Sequence, residues 1–201
     1  MVSRKKVGIM GGAFDPVHIG HLLAAEAARD QYDLEEVWFM PSHLPPHKAR
    51  AGVSGEQRLE LVKAATQSNP AFLPLDIELR RGGISYTVET MRELRAAYPE
   101  HDFYFIIGAD MVNYLPKWEG IEELVTLLTF IGLQRPGSMM ELDSLPDFIQ
   151  SAVVLAEMPL VDISSSLIRS RLRKGKSIRY LVPDAVYESM LRSGVYGIYP
   201  G

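Results

Sequence analysis

Residues 7–21, VGIMGGAFDPVHIGH, have the pattern of a buried strand, a glycine turn and the first turn of a helix. The apolar run leads up to Gly11 and Gly12, which lack a Cβ and so let backbone N–H groups approach an anion. The helix expected after the turn directs the positive end of its dipole to the same place. His18 and His21 share one face of its first turn and can both donate hydrogen bonds to phosphate oxygens. The stretch therefore predicts a nucleotide phosphate site.

The composition is that of one domain with a full hydrophobic core. The chain has 201 residues, of which 47% are hydrophobic and 23% are charged. Its net charge of −4 gives no general attraction to a nucleic acid backbone, and the absence of cysteine excludes disulfides, thiolate nucleophiles and zinc–thiolate sites. Residues 1–6 are basic, but glycine and aspartate soon interrupt the apolar run that follows. We therefore expect no signal peptide, no membrane-spanning segment and a cytoplasmic protein.

The order of strand and helix patterns predicts the fold class. Apolar runs typical of strands lie at residues 7–12, 36–41, 72–79, 103–107, 129–133 and 153–155. The run at 103–107 is too apolar to face water on either side, so it should be a central strand. We expect an α/β fold: a Rossmann-like, doubly wound parallel sheet with helices on both faces and a small C-terminal helical cap. We expect one domain over residues 1–201, with the helical part at about 164–201 packed on the rest.

Polar residues follow two of the predicted strands, at the edge where open α/β sheets bind ligands. Lys48 lies in a proline-stiffened loop after the second strand, where an exposed lysine is usually only solvated but is also placed to contact a phosphate. Gly108 ends the central strand and Asp110 follows it. Because a carboxylate there is costly to place without hydrogen-bond donors, and ribose hydroxyls are suitable donors, we assign Gly108 and Asp110 to a ribose.

Hydroxyl residues mark the starts of three further helices. Residues 54–57 have the spacing of a capping box, with Ser54 as the N-cap. Ser85 and Thr87 are N-cap candidates, and the three serines at 164–166 cap another helix that carries Arg169 about one turn further on. Plain capping accounts for both sets, although the serines at 164–166 also offer donors at the positive end of a helix. Residues 175–177, GKS, look like the end of a P-loop but follow a helix instead of a strand, so we read them as a helix C-terminus with a glycine stop.

Two motifs resemble those of the nucleotidyltransferase superfamily, which is distantly similar to class I aminoacyl-tRNA synthetases. They are GGAFDPVHIGH at 11–21 and ISSSLIR at 163–169. The resemblance implies that His18, His21 and Arg169 are catalytic. With the ribose assignment above, the ATP-binding set is Gly11, Gly12, Ala13, Phe14, His18, His21, Gly108, Asp110, Ile163, Ser164, Ser165, Ser166 and Arg169. Ala13 departs from the pattern, since relatives commonly have threonine or serine there, and its backbone N–H must serve alone.

Three shorter segments resemble bacterial nicotinate-mononucleotide adenylyltransferases: PPHK at 45–48, SYT at 85–87 and LPKW at 115–118. The resemblance implies that Thr87 and nearby helix N–H groups hold the carboxylate of the pyridine ring, and that the indole of Trp118 stacks on the ring. A tryptophan there is otherwise simply a core residue. The implied mononucleotide-binding set is Lys48, Ser85, Tyr86, Thr87, Tyr114, Trp118 and Arg135.

The implied reaction is attack of the mononucleotide 5′-phosphate on the α-phosphorus of ATP, which forms nicotinic acid adenine dinucleotide and pyrophosphate in NAD biosynthesis. Mg²⁺ would arrive with ATP and be held largely by substrate and water oxygens, with no metal site on the protein. The expected partners are ATP and nicotinate mononucleotide, with no nucleic acid and no membrane, and a homodimer is left open.

Several other activities share these motifs. They are adenylyl transfer to nicotinamide mononucleotide or to phosphopantetheine, cytidylyl transfer, and nucleotide binding without catalysis. Pantetheine-phosphate adenylyltransferases commonly lack the first histidine and the LPKW-like segment. A non-catalytic module is expected to have lost one of the histidines or Arg169, and this chain has all three.

Overall fold

Six parallel strands form a single sheet in the computed structural model, which describes residues 4–46, 52–134 and 142–198. The strands are β1 (Lys5–Gly12), β2 (Glu36–Pro41), β3 (Phe72–Pro74), β4 (His101–Gly108), β5 (Thr129–Gln134) and β6 (Val153–Glu157). Their order across the sheet is β3-β2-β1-β4-β5-β6, and every neighbouring pair is parallel. The predicted parallel α/β fold is confirmed, with β4 in the middle of the sheet. The strand order reverses between β1 and β4, which is where such sheets bind nucleotides.

Helices connect these strands. In the described ranges they are α1 (Ile19–Tyr32), α2 (Gly55–Thr66), α3 (Ile77–Arg81), α4 (Thr87–Ala97), α5 (Ala109–Val112), α6 (Ile121–Leu127), α7 (Asp147–Gln150), α8 (Ser165–Arg173) and α9 (Asp184–Ser193). Short 3-10 turns lie at Leu115–Lys117, Leu142–Ser144 and Val195–Gly197. None of the helices in this part of the chain is long and apolar enough to cross a membrane.

The two faces of the sheet pack against different helices, because side chains alternate along each strand. Val7 and Ile9 of β1 face a cluster that includes Met91 of α4 and Leu124 of α6. Met10, the next residue along β1, faces the opposite cluster, which contains apolar residues of α1, α2, α8 and α9. The predicted helices on both faces are therefore confirmed.

The strand predicted over residues 72–79 is wrong beyond Pro74. β3 ends at Pro74, and the chain then forms α3 instead of continuing as a strand. Proline has no N–H to donate to a sheet, and an ion pair of 2.9 Å between Asp76 and Arg80 supports the helix at i,i+4 spacing. Both Arg80 and Arg81 belong to α3, and the turn that follows consists of Gly82 and Gly83, both at positive φ.

Helix caps were predicted correctly at two of three serine-marked starts. Ser54 caps α2 in a reciprocal capping box, and the Ser164 hydroxyl of α8 accepts from Leu167 N–H at 3.1 Å. The N-cap prediction is wrong for α4, whose cap is Tyr86, with neither Ser85 nor Thr87 in that position. The hydroxyl of Ser85 is engaged elsewhere, as described below. The glycine stop at the end of α8 is confirmed, with Gly175 at a φ of 62°.

Candidate active site

Arg58 of α2 is a buried side chain that donates hydrogen bonds to the loop between β1 and α1. This side chain is only 2% exposed, and it donates from Nη1 to the carbonyl of Ala13 at 2.6 Å and from Nη2 to the carbonyl of Ser42 at 2.7 Å. Burial lowers the pKa of the Arg58 guanidinium, while the nearby charge of Asp15 opposes that shift. Sequence reasoning missed this residue, because an arginine in the first turn of an amphipathic helix has the pattern of a solvated side chain. The loops after β1 and β2 therefore share one buried cation.

Asp15 is a second fixed point of the same loop. Its carboxylate, in a residue only 7% exposed, accepts from the Tyr196 hydroxyl at 2.6 Å and from the Gly52 N–H at 2.9 Å. Burial, followed by the hydrogen bond to Asp15, raises the pKa of Tyr196, so this phenol stays protonated and donates. Asp15 precedes Pro16 through a cis peptide bond. One carboxylate thus joins the loop before α1 to two segments that lie far from it in sequence.

His18 and His21 form a stacked pair at the start of α1. Their ring centroids are 3.7 Å apart with an interplanar angle of 27°. His18 is the N-cap residue, and its N–H donates to Nδ1 of His21 at 3.2 Å. Because Nδ1 accepts that bond, the neutral ring of His21 carries its proton on Nε2. His21 therefore has an N–H donor on the ring edge that faces away from the helix cap, as a phosphate ligand requires.

Gly20, between the histidines, leaves room for this stacking. A Cβ there would lie 3.1 Å from Nδ1 of His18, which is tighter than most Cβ contacts in proteins. On the other side of the pair, the buried ring of Phe14 meets His21 edge to face, with centroids 5.0 Å apart. Phe14 occupies the left-handed region at a φ of 47°, a conformation that a buried loop must hold in place. The positions of both imidazoles thus depend on backbone and ring packing in this motif.

The second motif reaches the same loop from α8. Nη1 of Arg169 donates to the carbonyl of Asp15 at 2.5 Å and lies 3.6 Å from its carboxylate, while the Ser165 hydroxyl donates to the carbonyl of Pro16 at 2.8 Å. Nη2 of Arg169 also donates to the Ser166 hydroxyl at 3.3 Å. The two motifs therefore meet at one loop beside the sheet edge, although Ser165 and Pro16 are 149 residues apart in sequence.

The end of β4 brings Gly108 and Asp110 to the same edge of the sheet. Gly108 is the N-cap of the four-residue α5, and Asp110 lies in its first turn with an exposed side chain. The argument that led to Asp110 is therefore wrong. An exposed carboxylate is solvated and needs no protein or ligand donors. Its position beside the reversal of strand order between β1 and β4 is the remaining reason to propose that Asp110 binds a ribose.

The residues expected to bind a mononucleotide form two groups. Ser85 lies against the loop that follows β2, where its hydroxyl accepts from His43 N–H at 2.9 Å and its own N–H donates to the Leu44 carbonyl at 2.8 Å. Tyr86 and Thr87, both half-buried, continue into α4. Lys48 and Arg135 lie outside the described residues.

Trp118 forms the other group with Tyr114. Its half-buried indole meets the rings of Phe105 and Phe130 edge to face, each with centroids 5.8 Å apart, so it packs on the sheet core. The Tyr114 ring lies 5.0 Å from the Lys117 ammonium. A Cβ at Gly11 would be 2.8 Å from the Phe105 ring, so Phe105 packs between the end of β1 and Trp118. Packing on the sheet core therefore accounts for the buried part of this tryptophan.

Within the described ranges, no group of three or more histidine, aspartate or glutamate side chains is arranged to hold a metal ion. The donors around residues 13–18 are instead the guanidinium groups of Arg58 and Arg169 and the imidazole pair, while the carboxylate of Asp15 accepts from Gly52 and Tyr196. Donors of this kind suit an anionic ligand better than a cation bound by the protein.

Comparisons with known proteins show which family the chain resembles. A family model described as Cytidylyltransferase-like matches residues 9–171. A protein of Shouchella clausii named "Probable nicotinate-nucleotide adenylyltransferase" is 50% identical over 194 residues, which cover 96% of this chain and 97% of that protein. The chain belongs to the nicotinate-nucleotide adenylyltransferase family.

A second relative of the same name, from Geobacillus kaustophilus, is 48% identical over 98% of this chain and 88% of its own length. Among solved structures, the nicotinic acid mononucleotide adenylyltransferase of Plasmodium falciparum complexed with NaAD has a TM-score of 0.76. It covers 96% of this chain and 98% of its own at 19% identity, which shows a shared fold. The predicted family and the predicted Rossmann-like fold are both confirmed.

The fold brings some of the predicted residues into direct contact and leaves others apart. Ser165 and Arg169 contact the loop of residues 13–18, which contains His18, and Phe14 of this loop meets the ring of His21. Ser85 and Trp118 lie at the ends of other elements along the same edge of the sheet. Arg58 and Tyr196, which sequence reasoning did not assign to the site, hold the loop from behind.

Proposed function

We propose that this chain transfers the adenylyl group of ATP to nicotinate mononucleotide and forms nicotinic acid adenine dinucleotide and pyrophosphate. The observation that carries the proposal is the meeting of the stacked pair His18 and His21 with Arg169 at one loop beside the strand switch point. These are three phosphate-binding side chains at the N-terminal ends of two helices, where anions are favoured.

The chemistry requires alignment of two anions and no protein nucleophile. A phosphate oxygen of the mononucleotide attacks the α-phosphorus of ATP, the bond from that phosphorus to the bridging oxygen breaks, and pyrophosphate leaves with the electron pair. The attacking phosphate is already ionised, so no general base is needed. Catalysis then consists of holding the reactants in line and stabilising the charge that develops on the α-phosphate and the leaving group.

The ATP-binding residues divide by position. We assign the imidazoles of His18 and His21 to the α- and β-phosphates, and Arg169 with residues 164–166 to the β- and γ-phosphates. To reach a phosphate, Arg169 would exchange some of its hydrogen bonds to Asp15 and Ser166 for phosphate oxygens. Residues 11–14 contribute through the backbone, because Phe14 has a buried ring and Ala13 has no hydroxyl. Ile163, Gly108 and Asp110 complete the proposed ATP set.

The mononucleotide-binding residues follow from the family resemblance. We assign the start of α4, with Ser85, Tyr86 and Thr87, to the carboxylate of the pyridine ring, since a helix N-terminus offers unpaired N–H groups to an anion. Trp118 and Tyr114 would stack on or border the ring, as the exposed part of a half-buried indole allows. Lys48 and Arg135 are proposed for the phosphate side of the same substrate.

We propose that Mg²⁺ enters as part of the ATP complex, bound by phosphate and water oxygens. The described residues offer no three-ligand cluster that would compete for it. We further propose that residues 1–201 act as one nucleotidyltransferase domain in the cytoplasm, where ATP is made and used. The helical part from about residue 164 contributes Arg169 to the site. The homodimer stays a hypothesis to be tested by sedimentation.

The deciding experiment is release of pyrophosphate by the purified protein with Mg²⁺. ATP and CTP are each paired with nicotinate mononucleotide, nicotinamide mononucleotide and phosphopantetheine. Selective turnover of ATP with nicotinate mononucleotide, with the dinucleotide identified by mass, supports the proposal. Turnover of CTP or of phosphopantetheine would reject the substrate assignment and retain the phosphate-site assignment. No turnover of any pair would reject both.

A further inference from the structure

Glu78 is a buried carboxyl that the proposed chemistry does not use. It lies in α3, is only 3% exposed, and accepts from the hydroxyl of Thr90 at 2.8 Å. The Ser85 hydroxyl also interacts with this carboxyl and favours its charged form, which lowers its pKa. Nη2 of Arg81 lies 4.0 Å from Glu78 and donates to Thr90 at 2.8 Å. Burial of a carboxyl lowers the stability of the fold unless hydrogen bonds compensate for the lost water, so such a group is expected to have a structural or functional role.

The groups that Glu78 contacts belong to a junction of two loops. His43 N–H donates to the Ser85 hydroxyl at 2.9 Å, Ser85 N–H donates to the Leu44 carbonyl at 2.8 Å, and Nδ1 of His43 lies 2.8 Å from the Gly83 carbonyl. A parallel bridge between Leu44 and Ile84 adds to these bonds. The loop after β2 and the segment before α4 are thus paired to one another along their length.

Ser85 stands at the centre of this junction. Its hydroxyl accepts from the His43 N–H and also interacts with the buried carboxyl of Glu78, so this residue connects the loop after β2 with Glu78 in a polar chain. Such chains are stronger when every member is satisfied, and removal of the terminal acceptor would leave the hydroxyls of Ser85 and Thr90 without it. We therefore expect the relative position of the two loops to depend on the carboxyl of Glu78.

We propose that Glu78 is a positioning residue for the mononucleotide, because it holds residues 42–46 and residues 83–87 together as one unit. The second segment contains the start of α4, which is proposed to bind the carboxylate of the pyridine ring. Glu78 thus fixes this helix start relative to the loop after β2. This inference rests on the proposed function for the identity of the substrate, but the anchoring itself is a property of the protein alone.

The charge of Glu78 is consistent with this role. Burial raises the pKa of the carboxyl, although hydrogen bonds from Thr90 and Ser85 and the charge of Arg81 oppose the shift. The other charged group that faces it is Glu93, from α4, which is paired with Arg81 at 2.8 Å. Arg81 therefore lies between the carboxyl groups of Glu78 and Glu93 at this junction.

The kinetic test compares Glu78→Met, which keeps the length of the side chain but removes the acceptor, with Glu78→Gln, which restores an acceptor. We expect Met to raise the KM for nicotinate mononucleotide about 10-fold, with the KM for ATP within about twofold of wild type, and Gln to recover most of the loss. The milder Thr90→Val removes one donor and should raise the same KM about threefold. Glu93→Gln, at the exposed partner of Arg81, should leave both KM values unchanged.

An equal rise of both KM values in Glu78→Met, or a Gln variant as impaired as Met, would show a general structural role and overturn the inference. If Met does not fold, an unchanged KM in Thr90→Val overturns it instead. Amide hydrogen exchange gives a test without substrate. The His43 and Ser85 amides should exchange about 10-fold faster in Met than in wild type, and at the wild-type rate in Gln. An inactive wild-type protein would reject the proposed function, whereas unchanged exchange in Met would reject the anchoring.

Discussion

The Tyr196 hydroxyl donates to Oδ1 of Asp15 at 2.6 Å, across 181 residues of sequence. Asp15 also accepts from Gly52 and lies beside Arg169, so this one carboxylate joins the last turn of the described chain to the loop that precedes the imidazole pair. The C-terminal helices are thereby tied directly to the proposed phosphate site. Stability and phosphate binding should accordingly be coupled at this contact.

Tyr196→Phe removes this hydrogen bond and keeps the ring. Because the bond is made to a buried carboxylate, we expect the free energy of unfolding to fall by about 1–2 kcal/mol, measured by urea denaturation. Tyr180→Phe is the matched control, since Tyr180 is 79% exposed and should change stability by less than about 0.5 kcal/mol. Equal losses in the two variants would argue against a specific role for the contact with Asp15.

His18→Ala and His21→Ala should each lower kcat by about 10²- to 10³-fold, because each removes a fixed donor to charge that develops on the phosphates. Pyrophosphate release measures the effect, and circular dichroism checks that the fold is retained. His101→Ala is the control, as His101 begins β4 at the opposite edge of the sheet from the site. Near-normal turnover in both of the first two variants would refute the phosphate assignment.

Trp118→Ala should act on both stability and substrate. Loss of edge-to-face contacts with Phe105 and Phe130 should reduce the free energy of unfolding by about 2 kcal/mol, since the indole is only half-buried. Loss of stacking should raise the KM for nicotinate mononucleotide about 10-fold. Trp38→Ala, at the other tryptophan of the chain, should lower stability without the change in KM. A KM for Trp118→Ala equal to that of wild type would leave the indole with a core role alone.

Glu78 should make stability depend on pH in a definite direction. Its folded-state pKa is raised above the ordinary value of 4.5, chiefly by burial, so the folded protein binds the proton more tightly than the unfolded chain. The contribution of this group is fully present at pH values below 4.5 and is lost as pH rises through the folded pKa. Glu78→Gln should therefore gain stability relative to wild type as pH rises. Urea denaturation of both proteins across this range measures the difference, and a gap that is constant with pH would contradict the expectation.

Where the sequence predicted correctly, the signals were local. The apolar runs of β1, β2, β4, β5 and β6, and the caps at Ser54 and Ser164, depend on residues within a few positions of one another. Prediction failed where distant contacts outweighed local pattern. Residues 75–79 have an apolar pattern that fits a strand or a helix, and the burial of Glu78 against α4 selects the helix. Ser85 has the pattern of an N-cap, but pairing with the loop after β2 engages its hydroxyl.

The amino-acid sequence by itself determined the order of elements, the parallel sheet and the family of the chain, because hydrophobic period, helix caps and the two motifs are properties of short segments. Only the tertiary structure decided which side chains support the site. Arg58, Asp15, Tyr196 and Glu78 have partners that are distant in sequence, and their roles depend on burial that exists only once the sheet and its helices are packed. A polar side chain becomes an anchor when packing removes its water and leaves specific hydrogen-bond partners in its place.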